Sequence, residues 1–298
     1  MTQKDWSRRA ILGAGMAVVA ACARRPPATQ GEGSMAMEQH SGGSVRMPVG
    51  FVGHGSPMTA LDAVKGAPLR RWGGAVERPR AVVVISAHWE DAPAAVGTVR
   101  QQSLMYDFGG FPESLYRVQY PSPGAPDVGD RIASLLGVTE PVRRIDRPLD
   151  HGVWCPLVHM FPEADIPVLQ VSLPTRHGAA ACVELGRQLA PLRDEGVFVL
   201  GSGNVVHNLR RIDFSESSPP PSWATEFDAW TREQLDRHDI DALIGWEAGA
   251  PAARTAHPTP DHWLPLLVAA GAASSDGVAY PVEGWEVGSI SRRCVQFG

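Results

Sequence analysis

Three apolar, β-branched runs, each closed by small or turn residues and followed within a few positions by a histidine, constrain this chain more than any other feature. Val49-Gly-Phe-Val52 leads into Gly53-His54-Gly55-Ser56-Pro57, and Ala81-Val-Val-Val-Ile85 into Ser86-Ala87-His88-Trp89. Val197-Phe-Val-Leu200 leads into Gly201-Ser-Gly-Asn204 and then His207. Short runs that are apolar at every residue, rather than at alternate ones, read as strands buried on both faces. Open α/β sheets bind ligands beyond the carboxyl ends of their strands, so side chains just past those ends converge although they are remote in sequence. A fourth histidine, His257, precedes Pro258-Thr259-Pro260-Asp261. There Thr259 as N-cap and Pro260 at the first helical position start a helix through Leu264 to Ala270, ended by Gly271, with Pro265 leaving its first turn open. Taken singly, each histidine is more often a hydrogen-bonded core or surface residue than a ligand. Four in matching positions point to a metal site at one rim of the sheet.

The rest of the chain alternates in the same way. Helical spacing runs over residues 127–136, 178–192 and 222–242, and Ile166 to Ser172 reads as a strand. Alternation of this kind predicts an α/β fold, a single domain whose central, mostly parallel or mixed sheet is flanked by helices, with the metal site at the carboxyl ends of the strands. No internal repeat is evident, and nothing between residues 48 and 298 reads as an interdomain linker. A formal charge of −5 gives no basic footprint for nucleic acid.

The first residues carry a processing signal. Ser7-Arg8-Arg9-Ala10-Ile11-Leu12, followed by the apolar stretch from Gly13 to Ala21, reads as a twin-arginine export signal, too short to span a membrane. It runs into Val19-Ala20-Ala21-Cys22, which resembles a lipoprotein cleavage box with Cys22 as the lipidated residue; the alternative is a cut near Ala23 that leaves a soluble protein. Residues 1–22 are thus the signal, residues 23–47 a flexible tether rich in Gly, Ser, Pro, Gln and Ala, and residues 48–298 the folded domain. The expected location is the periplasm or cell envelope, with a membrane tether through Cys22. Met35, Met37, His40 and Met47 form at most a weak soft-metal patch, against which a low-complexity linker is the simpler reading. Cys155, Cys182 and Cys294 are an odd number without C-x-x-C spacing, so at most one disulfide forms within the chain and no cysteine-based zinc site is indicated.

Six ordered strings carry a family resemblance: Gly53 to Pro57, Ser86 to Trp89, Tyr106-Asp-Phe-Gly-Gly-Phe-Pro112, Leu149-Asp-His-Gly152, Gly201 to Leu209 and His257-Pro-Thr-Pro-Asp261. From residue 48 to 298 the chain resembles the class III extradiol ring-cleavage dioxygenases, in the branch similar to DOPA 4,5-dioxygenases. The resemblance implies that His54, His88 and His257 bind the metal, with histidine in the last position where protocatechuate-cleaving relatives have glutamate. It implies Fe(II), with Zn(II) as the alternative, since three histidines suit both. It makes His207 the acid/base residue, with a fourth ligand as the competing role, and His151 beside Asp150 a donor to bound oxygen or substrate. It places Tyr106, Phe108 and Phe111 on an aromatic, glycine-hinged loop over the substrate pocket. Two positions depart from the family's usual pattern: Gly109, where a larger residue is frequent, and Arg292, where relatives often carry an apolar one.

The activity so implied is oxidative: a small catechol, chelated through adjacent oxygens, is opened by O2 at a non-haem metal, with a base of near-neutral pKa to take its proton. Two other classes compete, a zinc-dependent hydrolase on the same three histidines and a non-enzymatic envelope lipoprotein that sequesters metal. Gly201-Ser202-Gly203 lacks the G-x-S-x-G spacing of a serine-hydrolase elbow. His159, His177 and His238 receive structural readings, and His262 stands beside the site with a contact to a ligand as its expected role.

Overall fold

The computed structural model describes residues 46–97, 103–137, 142–215 and 219–298. Its elements are β1 (Val49–Gly53), α1 (Ala63–Ala75), β2 (Ala81–Glu90), β3 (Val96–Gly97), α2 (Pro126–Leu136), β4 (Arg144–Ile145), α3 (His151–Met160), β5 (Val168–Leu173), α4 (Gly178–Leu189) and β6 (Val197–Gly203). There follow α5 (Ser222–Asp236), α6 (Ile240–Ile244), α7 (Trp246–Gly249), α8 (Ala253–Ala256), α9 (Leu264–Ala273), β7 (Val278–Ala279), β8 (Trp285–Glu286), β9 (Ile290–Ser291) and β10 (Val295–Phe297). One mixed sheet of eight strands runs β4-β3-β5-β2-β6-β1-β10-β7, and β8 and β9 form a separate hairpin. The four central strands, β5-β2-β6-β1, are parallel to one another, while β10 closes on β1 in the antiparallel sense. This is the α/β domain with a mixed central sheet that the apolar runs predict.

Both faces of that sheet are covered, which is why its strands carry no alternation of polar residues. Successive side chains of a strand point to opposite faces. Val83 and Ile85 of β2 and Val197 and Val199 of β6 therefore enter one core, with α2, α4, α5 and α9. Val82, Val84, Phe198 and Leu200 enter the other, with α1 and α3. Every residue of α9 is buried, as expected of a helix that is apolar all round.

Several boundaries differ from the sequence reading, each for a local reason. The helix predicted over 178–192 stops at Leu189, because Pro191 brings no N–H to the ladder and a 3-10 turn, Ala190–Glu195, takes over. The one predicted over 222–242 stops at Asp236; His238 has φ 54°, and Asp239 caps a new helix by accepting from the Ala242 N–H. Thr259 is not the cap of α9, which begins at Leu264 with Pro265 in its first turn and passes through Gly271. Arg46 and Met47, read as tether, are held by the domain. Arg46 pairs with Asp194 at 2.7 Å, and the buried Met47 donates its N–H to Arg193 O at 3.0 Å while its carbonyl accepts from Arg193 Nε at 2.8 Å. The export signal, Cys22 and the tether to residue 45 lie outside the described residues. Cys155, Cys182 and Cys294 are free and buried.

Candidate metal centre and active site

The carboxyl ends of β1, β2 and β6 meet where the apolar runs predict, and the imidazoles there converge. His54 follows β1 directly, and its backbone N–H continues the β1–β6 ladder onto Gly203 O at 3.0 Å. Its Nδ1 lies 3.0 Å from Ser202 Oγ, which itself donates to Gly152 O at 2.5 Å. With its hydroxyl proton spent, Ser202 accepts from Nδ1–H, and His54 is left with a bare Nε2. That nitrogen lies 3.3 Å from Nε2 of His88. Tetrahedral bonds of about 2.05 Å hold two nitrogens about 3.3 Å apart, so the spacing is that of two ligands to one ion.

The third imidazole is His262, not His257. The donor atoms of His54, His88 and His262 lie within 4.8 Å of one another. Asp261 accepts from Nδ1 of His262 in a short hydrogen bond, which puts the ring proton on Nδ1. Nε2 of His262 is buried and has no hydrogen-bond partner. A carboxylate behind the ring and a bare nitrogen in front is how a metal-binding histidine is prepared. Backbone approach sets the residue in place. A Cβ at Gly203 would stand 2.2 Å from His262 O, so only glycine lets the two chains lie this close, and the Asn204 N–H donates to the same carbonyl at 3.0 Å.

His257 is turned the other way. Its Nε2–H donates to Val205 O at 2.8 Å, and its ring packs edge-on against Phe227 and Trp246 and beside Trp263. Its Nδ1 is also buried without a hydrogen-bond partner, but with the ring held in an aromatic core it joins none of the clusters of possible ligands among the described residues. The structure therefore corrects its assignment as the third ligand. His159 likewise donates to a carbonyl, Thr59 O, at 2.7 Å.

Two further imidazoles flank the cluster. His207 stacks on His262 with centroids 3.5 Å apart and planes 7° from parallel. His151, the first residue of α3, lies 4.0 Å from His88 by ring centroid, and its Nδ1 donates to Asp107 Oδ1 at 2.9 Å. The other oxygen of Asp107 stands 3.9 Å from His88 Nδ1. Asp107 was not singled out in the sequence, although it sits inside the aromatic loop that was. Burial works to raise its carboxyl, but the hydrogen bonds and charge of His151 outweigh this and hold it at about 2. Behind His88, the buried Asp150 accepts from Ser86 Oγ and Gln170 Nε2, both at 2.7 Å, and the His88 backbone N–H donates to the same Ser86 hydroxyl.

Burial, then the neighbouring imidazoles, holds His54 well below the usual histidine range and takes His88 and His207 down to about 2. These rings are neutral at working pH, as ligands and bases must be. They open on a cavity of about 590 Å³, with Phe108 and Phe111 on its wall, a volume suited to a small ligand. Tyr106 is not on that wall: its hydroxyl donates to Val118 O at 2.7 Å, and its ring supports Phe108 from behind. An imidazole cluster with one orphaned nitrogen and a second pair set at ligand spacing fits a divalent transition metal.

The sequence matches, over residues 62–297, the family described as the catalytic LigB subunit of aromatic ring-opening dioxygenase. This chain belongs to that family. A 4,5-DOPA dioxygenase extradiol of Escherichia coli K12 is 41% identical over 86% of this chain and 96% of its own. One of Beta vulgaris is 38% identical over 83% and 95%. The fold of an uncharacterized protein of E. coli K12 superposes with a TM-score of 0.72 at 36% identity, over 85% of this chain and all of that one. The chain is thus an extradiol-type ring-opening dioxygenase, a metal-dependent oxidoreductase, and the hydrolase and metal-storage readings of its histidines fall away.

Proposed function

We propose that this dioxygenase opens the ring of a small catechol with O2 at a non-haem Fe(II) held by His54, His88 and His262. The observation that carries the reading is the bare, buried Nε2 of His262 opposite the facing Nε2 atoms of His54 and His88. Without an ion, one shared proton is all that relieves the lone pairs of that pair. Three imidazoles leave positions for two vicinal oxygens and for O2, and the relatives named as DOPA dioxygenases support a dihydroxyphenyl ring. Iron would supply Lewis acidity toward the catechol oxygens and one-electron chemistry with O2.

The protein's own groups then bind, orient and move protons. Phe108 and Phe111, with ring centroids 5.3 Å apart, offer an apolar shelf for the substrate ring. His207, neutral and fixed by its stack on His262, is the ring placed to accept the proton of a catechol hydroxyl, although burial holds it at about 2 in the empty cavity, below the near-neutral value expected of a base. The incoming catecholate offsets the charge that this ring gains. His151, with Nδ1–H committed to Asp107, presents Nε2 on the other side of the cluster as the hydrogen-bond partner of the second oxygen. Leu209, Ile212 and Ile290 line the same cavity and keep water from the reacting atoms.

The test is metal exchange. Metal-free protein reloaded with Fe(II) should consume O2 with a 3,4-dihydroxyphenyl compound and yield a coloured ring-opened product, and the Zn(II)-loaded form should not. Equal turnover with zinc would refute the iron assignment. We further infer export and lipid anchoring from Arg8-Arg9 and the apolar run into Cys22. Arg8→Lys with Arg9→Lys should leave the protein in the cytoplasm, and Cys22→Ala should abolish lipid labelling; unchanged fractionation or labelling would refute either step.

A further inference from the structure

The metal cavity does not end at its aromatic shelf. A second chamber of about 900 Å³ adjoins it, and the two share Ser56, Phe111, Phe214 and Val287 as walls. The inner cavity is lined by imidazoles and apolar residues with Asp107 and Asp261 among them, and the outer one sets one ammonium among carboxylates: Lys65, near the start of α1, faces it together with Asp62, Glu286 of β8 and Asp213, whose Oδ1 accepts the Ser215 N–H at 2.8 Å. A substituent on a catechol bound at the metal has this chamber as its route outward.

The charged groups there are unequally used. Glu286 is buried, its side chain 3% exposed, and Oε2 accepts the Ser56 N–H at 3.0 Å. Gly55 makes that contact possible: it has φ 65°, and a Cβ there would stand 2.3 Å from the same oxygen. Asp62 Oδ1 is spent on the Val64 and Lys65 N–H groups as the cap of α1. Lys65 Nζ is 3.6 Å from Glu286 Oε1 and 3.9 Å from Asp62 Oδ2, beyond hydrogen-bond length from both, and its side chain is 42% exposed. Beneath it, the buried guanidinium of Arg292 donates to Lys65 O at 3.0 Å, adding a second positive charge behind the lysine. Each carboxylate accepts a backbone N–H, whereas Lys65 is held by ion pairs longer than hydrogen bonds, so its ammonium is the group of this chamber with donors left for an entering ligand.

We propose that Lys65 reads an anionic group, a carboxylate in the simplest case, on the side chain of the catechol, so that the outer chamber selects among ring-bearing substrates by charge. This rests on the ring-opening reading of the inner site. The test uses the Fe(II)-loaded chain and three 4-substituted catechols of similar length, with a propionate, a propyl or an aminoethyl tail, followed by oxygen uptake. Wild type should prefer the propionate. Lys65→Met should lower the ratio of kcat/KM for propionate over propyl about tenfold, the loss lying in KM, as expected for one charge-assisted hydrogen bond. Lys65→Arg should restore most of that ratio. A ratio unmoved in Lys65→Met, or a wild-type preference for the aminoethyl compound, would refute the role of Lys65 while leaving the ring-opening reading intact. No uptake with any of the three would refute both.

Discussion

Removing the metal and lowering the pH should unfold this protein sooner than its charge composition suggests. In the folded chain His54 is held well below the usual range, His88 and His207 at about 2, and His257 at about 4, in each case first by burial. In the unfolded chain all four return to about 6.5. Well above that value neither state binds a proton at these rings and stability is flat. Below it the unfolded state takes protons that the folded state refuses, so stability falls with falling pH, through a window that runs from about 6.5 down to the folded values. Each such ring costs about 1 kcal/mol between pH 6.5 and 5.5, so the four cost up to about 4 kcal/mol, a large share of the 5 to 15 kcal/mol typical of a domain. Urea melts of metal-free protein at pH 7.5, 6.5 and 5.5 measure this directly. The midpoint should fall over the first step by about a third of what it loses over the second, since the unfolded rings are already half protonated at about pH 6.5. A level midpoint to pH 5.5 would mean that the folded imidazoles take protons freely, and the packed, neutral cluster described here would be wrong.

Three substitutions separate the roles of the histidines and their supports. Asp261→Asn should weaken metal binding by about 10- to 100-fold, since the amide no longer fixes the His262 proton on Nδ1; competition with a chromophoric chelator measures it, and unchanged affinity would remove the carboxylate from the account. His257→Ala should retain its metal while losing about 2 to 4 kcal/mol of stability through a cavity and an orphaned Val205 carbonyl, so a metal-free but stable variant would return His257 to the ligand set. His207→Ala should keep its metal and its affinity for catechol and lose on the order of a hundredfold in turnover; a variant that arrives without metal would make His207 a ligand.

The central strands and the gathering of His54, His88 and His207 at one rim were legible because a doubly covered strand must be apolar at every position, and its carboxyl end must face the ligand crevice. The choice between His257 and His262 was not. The two stand five residues apart in one string, and which ring turns inward depends on contacts no local pattern records. One is Gly203 against the His262 carbonyl; the others are the aromatic rings of α5 and α7 that close around His257. A usable signal was present, since Asp261 beside His262 is the carboxylate that a metal-binding imidazole needs behind it, and His257 has none adjacent. Asp107 escaped for the opposite reason. Its loop reads as aromatic, and only the start of α3 brings His151 to it. The chamber lined by Lys65 and Glu286 joins residues more than 200 positions apart, and no spacing rule reaches that far.

The most direct test of the central claim is isotopic. Fe(II)-loaded protein turning over a catechol under 18O2 should place both labelled atoms in the ring-opened product, with one O2 consumed for each ring opened. Replacing His262 by Ala should abolish uptake and labelling together. Ring opening without label, or full labelled turnover in the His262→Ala protein, would contradict a dioxygenase built on this cluster.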